Sequence, residues 1–167
     1  MMRYLPSRIL RSPFAGVAAL WRHNRGSALV EFSILAPFMF SLALGVFEFG
    51  RFFYQYQMVV EGLRDGARYL ARLDASDGTN QSNASNLAVT GTIDGTGALR
   101  VDGWEAADVT FSVTDTDNSD GTYRGGATIQ SVEATTTFSY QDLGFLSALG
   151  FDAISVDATH EQRVIEE

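Results

Sequence analysis

The sequence has no cysteine and no lysine. Without cysteine there are no disulfide staples, no thiolate metal sites and no thiol nucleophile, although the compartment stays open. Without lysine every positive charge is an arginine, 12 in all against 20 acids, for a net charge of −8. Acid is missing from one region altogether. Residues 1–26 hold Arg3, Arg8, Arg11, Arg22 and Arg25 but no Asp or Glu, and all the acids lie beyond them. Such a split between the ends of a chain is a sorting or interaction signal rather than a fold signal. The acidic bulk argues against nucleic acid as a partner, because neutralising phosphates needs clustered basic side chains. Histidine is scarce as well: His23 lies in the basic segment and His160 stands alone on a strand beside Glu161. No G-x-S-x-G and no phosphate loop is present, and the turn-rich "GTIDGTG" at residues 91–97 lacks the strand–helix context of a phosphate site. The expectation is a protein that is not an enzyme and needs no cofactor or metal.

What the chain does contain is a long apolar run. Residues 1–26 read as a basic leader or cytoplasmic tail, with a weak apolar patch at 14–20 broken by Gly16 and no small-x-small site after it. Residues 27–47 are apolar with Glu31 as their only charge. About 20 helical residues cross a bilayer's hydrocarbon core, so this run suffices for one span. Arginines before the span and none within it place the N-terminus in the cytoplasm and the remainder across the membrane. Pro37 falls mid-span, where it removes a backbone hydrogen bond. Helical periodicity continues past the span through Phe52, Tyr56, Val59, Leu63, Ala67 and Leu70, with Arg64, Arg68 and Arg72 on another face. Glu61 can reach Arg64, and Asp65 can reach Arg68, at i+3. Phe52, Phe53, Tyr54 and Tyr56 read as an interfacial aromatic belt. One helix over residues 27–73, about 70 Å if straight, is expected.

Residues 74–86, "DASDGTNQSNASN", are rich in turn formers and read as a polar linker. Beyond them a β-rich head is expected over residues 87–167. Apolar residues alternate with polar ones at Leu87, Val89 and Ile93, at Val109, Phe111 and Val113, at Val132, Ala134, Phe138 and Tyr140, and at Ile154, Val156 and Ala158. Asp–Gly pairs at Asp77, Asp94, Asp102 and Asp120 punctuate the pattern as turns. "DLGFLSALGF", residues 142–151, reads as a short helix between the last two strands. The fold class is α+β: a long N-terminal transmembrane helix extending into a small antiparallel-sheet head, the sheet packing on the helix through Val59, Leu63 and Leu70. "DTDNSDG", residues 115–121, invites a calcium reading, but an EF-hand loop needs glycine at position 6 and glutamate at position 12, where Asp120 and Gly126 stand. A hairpin loop is the expectation.

The segments "RGSALVEF", "EFGR" and "GLRDGARYLAR", about a quarter of the chain, resemble the TadE-like family, pilin-like proteins of tight-adherence (Flp-type) pilus systems. The family pattern of glycine, acid, neighbouring aromatic, apolar span with a proline, E-x-G and GAR recurs in order. The resemblance implies that a prepilin peptidase cuts between Gly26 and Ser27, and that Glu31 becomes the acid at position five of the mature chain with Phe32 beside it. Ser27 departs from the methylated phenylalanine with which type IV pilins usually start, and the leader is longer than short prepilin leaders.

A carboxylate at the bilayer centre costs about 2.5–3.5 kcal/mol, and less near an end through snorkelling. The amine freed on Ser27 could meet Glu31 within one helix, or meet Glu31 of a staggered neighbour and fix register. The second role is expected. The plainer reading leaves Glu31 snorkelling in an ordinary signal anchor. Glu48, Gly50 and Arg51 lie at the outer membrane edge, where Glu48 and Arg51 form an i, i+3 pair or touch a partner helix. Gly62 and Gly66 have small-xxx-small spacing, which admits a helix or the sheet at close range. The expected function is that of a minor pilin-like subunit, or pseudopilin, in pilus assembly and cell adhesion. It would sit in the bacterial inner membrane, with other pilins or pseudopilins, the assembly machinery, the prepilin peptidase and the lipid bilayer as partners. Two rivals remain: an uncleaved single-pass anchor carrying a binding or adhesion module, and a hydrolase or metal-binding head on an anchor.

Overall fold

The computed structural model describes residues 25–164, so the expectations for most of the basic leader lie outside the described residues. Helix α1 runs Arg25–Leu70 as one element of 46 residues with Pro37 inside it. It starts and stops close to the limits that the apolar run and the later periodicity predict. Ser41 Oγ donates to the Pro37 carbonyl oxygen at 2.9 Å, and Ser33 Oγ to that of Leu29 at 2.7 Å, so hydroxyls within the apolar run are satisfied by their own helix. The chain divides into two units between Leu44 and Gly45. In the first, the apolar side chains from Leu29 to Leu44 are almost all exposed. This helix is long and apolar enough to cross a membrane, which anchors the protein there.

The second unit carries the core. Val59, Leu63, Ala67 and Leu70 are wholly buried and form one stripe of α1. The polar stretch that reads as a linker is instead a helix, α2, spanning Gly78–Thr90. Its ends carry the chemistry that the composition obscured. Asp77 is the N-cap, its carboxylate accepting from Thr79 N at 2.8 Å, and Gly91 closes the C-terminus at φ 75°. Leu87 and Val89 therefore belong to a helix, not to the strand that their alternation suggests.

Gly62 and Gly66 make the α1–α2 packing possible. A Cβ at Gly62 would overlap the Ala88 carbonyl oxygen and come within 2.8 Å of Trp104 Cη2. At Gly66 it would come within 2.9 Å of the Ala84 carbonyl oxygen. Ala84 and Ala88 are themselves wholly buried, so small residues meet on both helices.

After a 3-10 turn at Ala106–Asp108 come strands β1 (Val109–Asp117), β2 (Thr128–Tyr140) and β3 (Ile154–Arg163), forming an antiparallel sheet in the order β1-β2-β3. Phe111 pairs with Ala134, Thr136 with Ala158, and Tyr140 with Ile154. The buried face is the parity expected on β2: Val132, Ala134, Phe138 and Tyr140 are all buried. A short helix α3, Phe145–Ala148, sits between β2 and β3 as expected. Trp104 anchors the middle of the core. Its indole N–H donates to Thr136 Oγ1 at 3.0 Å, and Thr136 Oγ1 donates to the Asp108 carbonyl oxygen at 2.8 Å. The fold class is α+β, a long apolar helix followed by a small antiparallel sheet, as the sequence leads one to expect.

Candidate functional site

Two acids on α1 draw attention because each sits in or beside an apolar stretch. Glu31 is exposed, and Ser27 Oγ donates to its Oε1 at 3.0 Å, one helical turn away. Phe32 beside it is exposed as well. Gly26 leaves open space where a side chain would begin. Around Glu31 the helix offers a carboxylate, a serine hydroxyl and exposed apolar side chains.

Glu48 is the opposite case. It is only 2% exposed, and its Oε1 accepts from the Tyr140 hydroxyl at 2.7 Å and from the Leu143 backbone N–H at 3.0 Å. Phe52 stacks edge-on against the Tyr140 ring, centroids 5.3 Å apart. Burial, and then the neighbouring Glu48 carboxylate, pushes the Tyr140 phenol up to about 12, so it remains a hydrogen-bond donor throughout the physiological range. The i, i+3 pair expected between Glu48 and Arg51 does not form. The Glu48 carboxylate is instead held by two aimed donors from its own head, the Tyr140 hydroxyl and the Leu143 N–H. Among the described residues the ion pair is Arg100–Asp65 at 2.6 Å, which ties the segment after α2 to α1. It also takes the place of the expected Asp65–Arg68 contact. Gly50 stays on the surface, with open space where a Cβ would stand, and Arg51 is half-buried.

Elsewhere the acids serve local turns. Asp117 accepts from Ser119 N at 3.0 Å, and Asp120 accepts from Thr122 N at 3.1 Å and Thr122 Oγ1 at 2.6 Å. Hydrogen bonds from the Thr122 hydroxyl and backbone hold the Asp120 carboxyl below the usual range. Asn118 braces the same hairpin, donating to the Tyr123 and Gly126 carbonyl oxygens. No cluster of His, Asp or Glu suited to a metal ion occurs among the described residues. His160 has a buried Nε2 without a hydrogen-bond partner, and burial, then Arg64 and Arg68, lowers its pKa.

Sequence reasoning placed Glu48 at the membrane edge but missed Tyr140 and Leu143. They lie 92 and 95 residues further along the chain, and no local spacing connects them to Glu48.

Residues 26–68 match the family model described as TadE-like protein. The matched stretch holds Gly26, Ser27, Glu31, Phe32, Glu48, Gly50, Arg51, Gly62 and Gly66 together, in agreement with the resemblance drawn from the motifs. No curated protein and no solved structure matches the chain.

Proposed function

From its TadE-like segment, we propose that the protein is a minor pilin-like subunit of a tight-adherence pilus system, working by assembly rather than by catalysis. In this reading a prepilin peptidase cuts between Gly26 and Ser27. The new amine on Ser27 then meets Glu31 of an adjacent pilin or pseudopilin and sets the stagger between two helices. The observation that carries the reading is Glu31 itself: the lone acid of the apolar run, exposed, with one serine hydroxyl as its partner, inside the matched segment. Such a group is costly in hydrocarbon unless a partner neutralises it. A buried ion pair of this kind contributes specificity of register more than stability. The head lies outside the cytoplasm and presents its loops and strand edges to pilus components, and the membrane is the inner one.

N-terminal sequencing of the membrane-extracted chain, from cells with and without a prepilin peptidase, tests the cut. Ser27 is expected at the N-terminus with the peptidase, and Met1 or Met2 without it. A full-length chain persisting in cells that build a working pilus overturns the reading. Glu31→Gln should leave insertion and cleavage intact while lowering crosslinking to pilin partners severalfold. Unchanged crosslinking removes the register role.

A further inference from the structure

The loop joining β2 to β3 is unusually apolar for an exposed segment. Residues 143–151, "LGFLSALGF", contain no charged side chain. Leu143, Leu149 and Phe151 are 57%, 59% and 61% exposed. Ile154, at the start of β3, is part-exposed too. The loop is nonetheless built, not slack. Gly144 and Gly150 turn the chain at φ 95° and 84° on either side of α3. Two acids flank this stretch: Asp142 accepts from Ser147 N at 2.9 Å and Ser147 Oγ at 3.2 Å, and Asp152, just after Phe151, is exposed. An apolar surface of this kind on an ordered loop marks a contact with something beyond the described residues.

Its position identifies that contact. The Leu143 N–H is bonded to Glu48, the first acid after the apolar run ends. Leu146 and Ile154 line, with Phe49 and Phe52, a hollow of about 210 Å³ beside Glu48 and Tyr140. The loop is thus fixed to the turn of α1 where the membrane span ends, and Val46, Phe47, Phe49, Phe53 and Tyr54 of that region are themselves exposed. Aromatic and aliphatic side chains at that level belong in the interfacial zone of a bilayer.

We infer that the 143–151 loop is a second membrane contact: Leu143, Leu149 and Phe151 dip into the leaflet on the head's side, beside the point where α1 leaves it. The occupant is lipid and not a neighbouring subunit, because a chain anchored by α1 necessarily has lipid at that level, whatever else it assembles with. The inference rests on the membrane anchor alone and is independent of the pilus reading.

The absence of cysteine makes the test clean. The full chain, with a single cysteine at Leu149, Phe151 or the hairpin residue Thr122, is labelled with an environment-sensitive dye and reconstituted at low density in vesicles containing lipid spin-labelled just below the headgroup. Dyes at 149 and 151 should shift to the blue and be quenched severalfold more than the dye at 122. Equal quenching at all three positions overturns the inference. So does shielding at 149 and 151 that appears only when protein density is raised, which would identify a second subunit as the occupant. The dye is itself apolar, so the unlabelled chain supplies an independent reading. Amide exchange over residues 143–151 in vesicles should be severalfold slower than in a Leu149→Asp, Phe151→Asp double variant, with exchange over the three strands the same in both. Indistinguishable exchange over the loop also overturns it.

Discussion

Helix α1 is two helices in its energetics. Up to Leu44 its large apolar side chains are exposed, and its one acid, Glu31, holds only a serine hydroxyl. From Glu48 to Leu70 the same rod buries a full stripe, and its first acid is enclosed by a tyrosine and a backbone amide. Both halves are rich in apolar and aromatic residues, but the second also carries Glu48, Arg51, Glu61, Arg64, Asp65 and Arg68. The apolar side chains also differ in what meets them: the second half buries a stripe against its own chain, whereas the first keeps its apolar side chains exposed. Glu48 is satisfied within the head and holds it together, whereas Glu31 keeps its carboxylate exposed, and it is this acid that the proposed assembly role uses.

The comparison breaks hardest in the buried half. Trp104→Ala removes the wholly buried indole and its bond to Thr136, and should lower head stability by about 3–5 kcal/mol, read by thermal or chemical melting of the full chain in detergent. Glu48→Ala strands the Tyr140 hydroxyl and the Leu143 N–H together. It should lower head stability by about 1–3 kcal/mol. Glu48→Gln, which keeps an acceptor oxygen, should do less harm. Equal stability of Glu48→Ala and wild type would erase the distinction between the two acids.

A smaller effect is expected of pH. His160 has a folded-state pKa below its unfolded value, through burial and then Arg64 and Arg68. The unfolded chain therefore binds the proton more tightly. The head should be most stable above the ordinary histidine pKa of about 6.5 and should lose stability as pH falls below it. His160→Gln should flatten that part of the profile. The smallest effect belongs to Glu31→Gln, which should leave head melting unchanged, because the hydrogen bond that Glu31 accepts comes from Ser27 of its own helix.

How much of this was legible in the sequence depends on where the information was held. The span and its continuation could be read because one period runs through them. The three strands could be read because the parity on β2 is kept across the whole strand. Helix α2 could not. Its Thr, Asn and Ser residues are poor helix formers, and its helicity comes from Asp77 and Gly91 at its ends and from small side chains packed on Gly62 and Gly66. Asp77–Gly78 looked like a turn because the residue that opens a turn is also one that caps a helix. Asp65 chose Arg100 over the nearby Arg68 because the later segment brings its guanidinium to the carboxylate in a more sheltered place. Glu48 was marked by its motif, but its donors come from a strand and a loop far along the chain, and only the folded head brings them to it.

The enclosure of Glu48 also governs mechanics. A helix advanced by one residue turns its side chains through about 100°. Any twist or slide of α1 past β2 at this level would therefore drag an ionisable group out of both of its donors at once. A twist or slide of this stretch of α1 is thus resisted by two polar bonds as well as by the oily seam of Val59, Leu63 and Leu70.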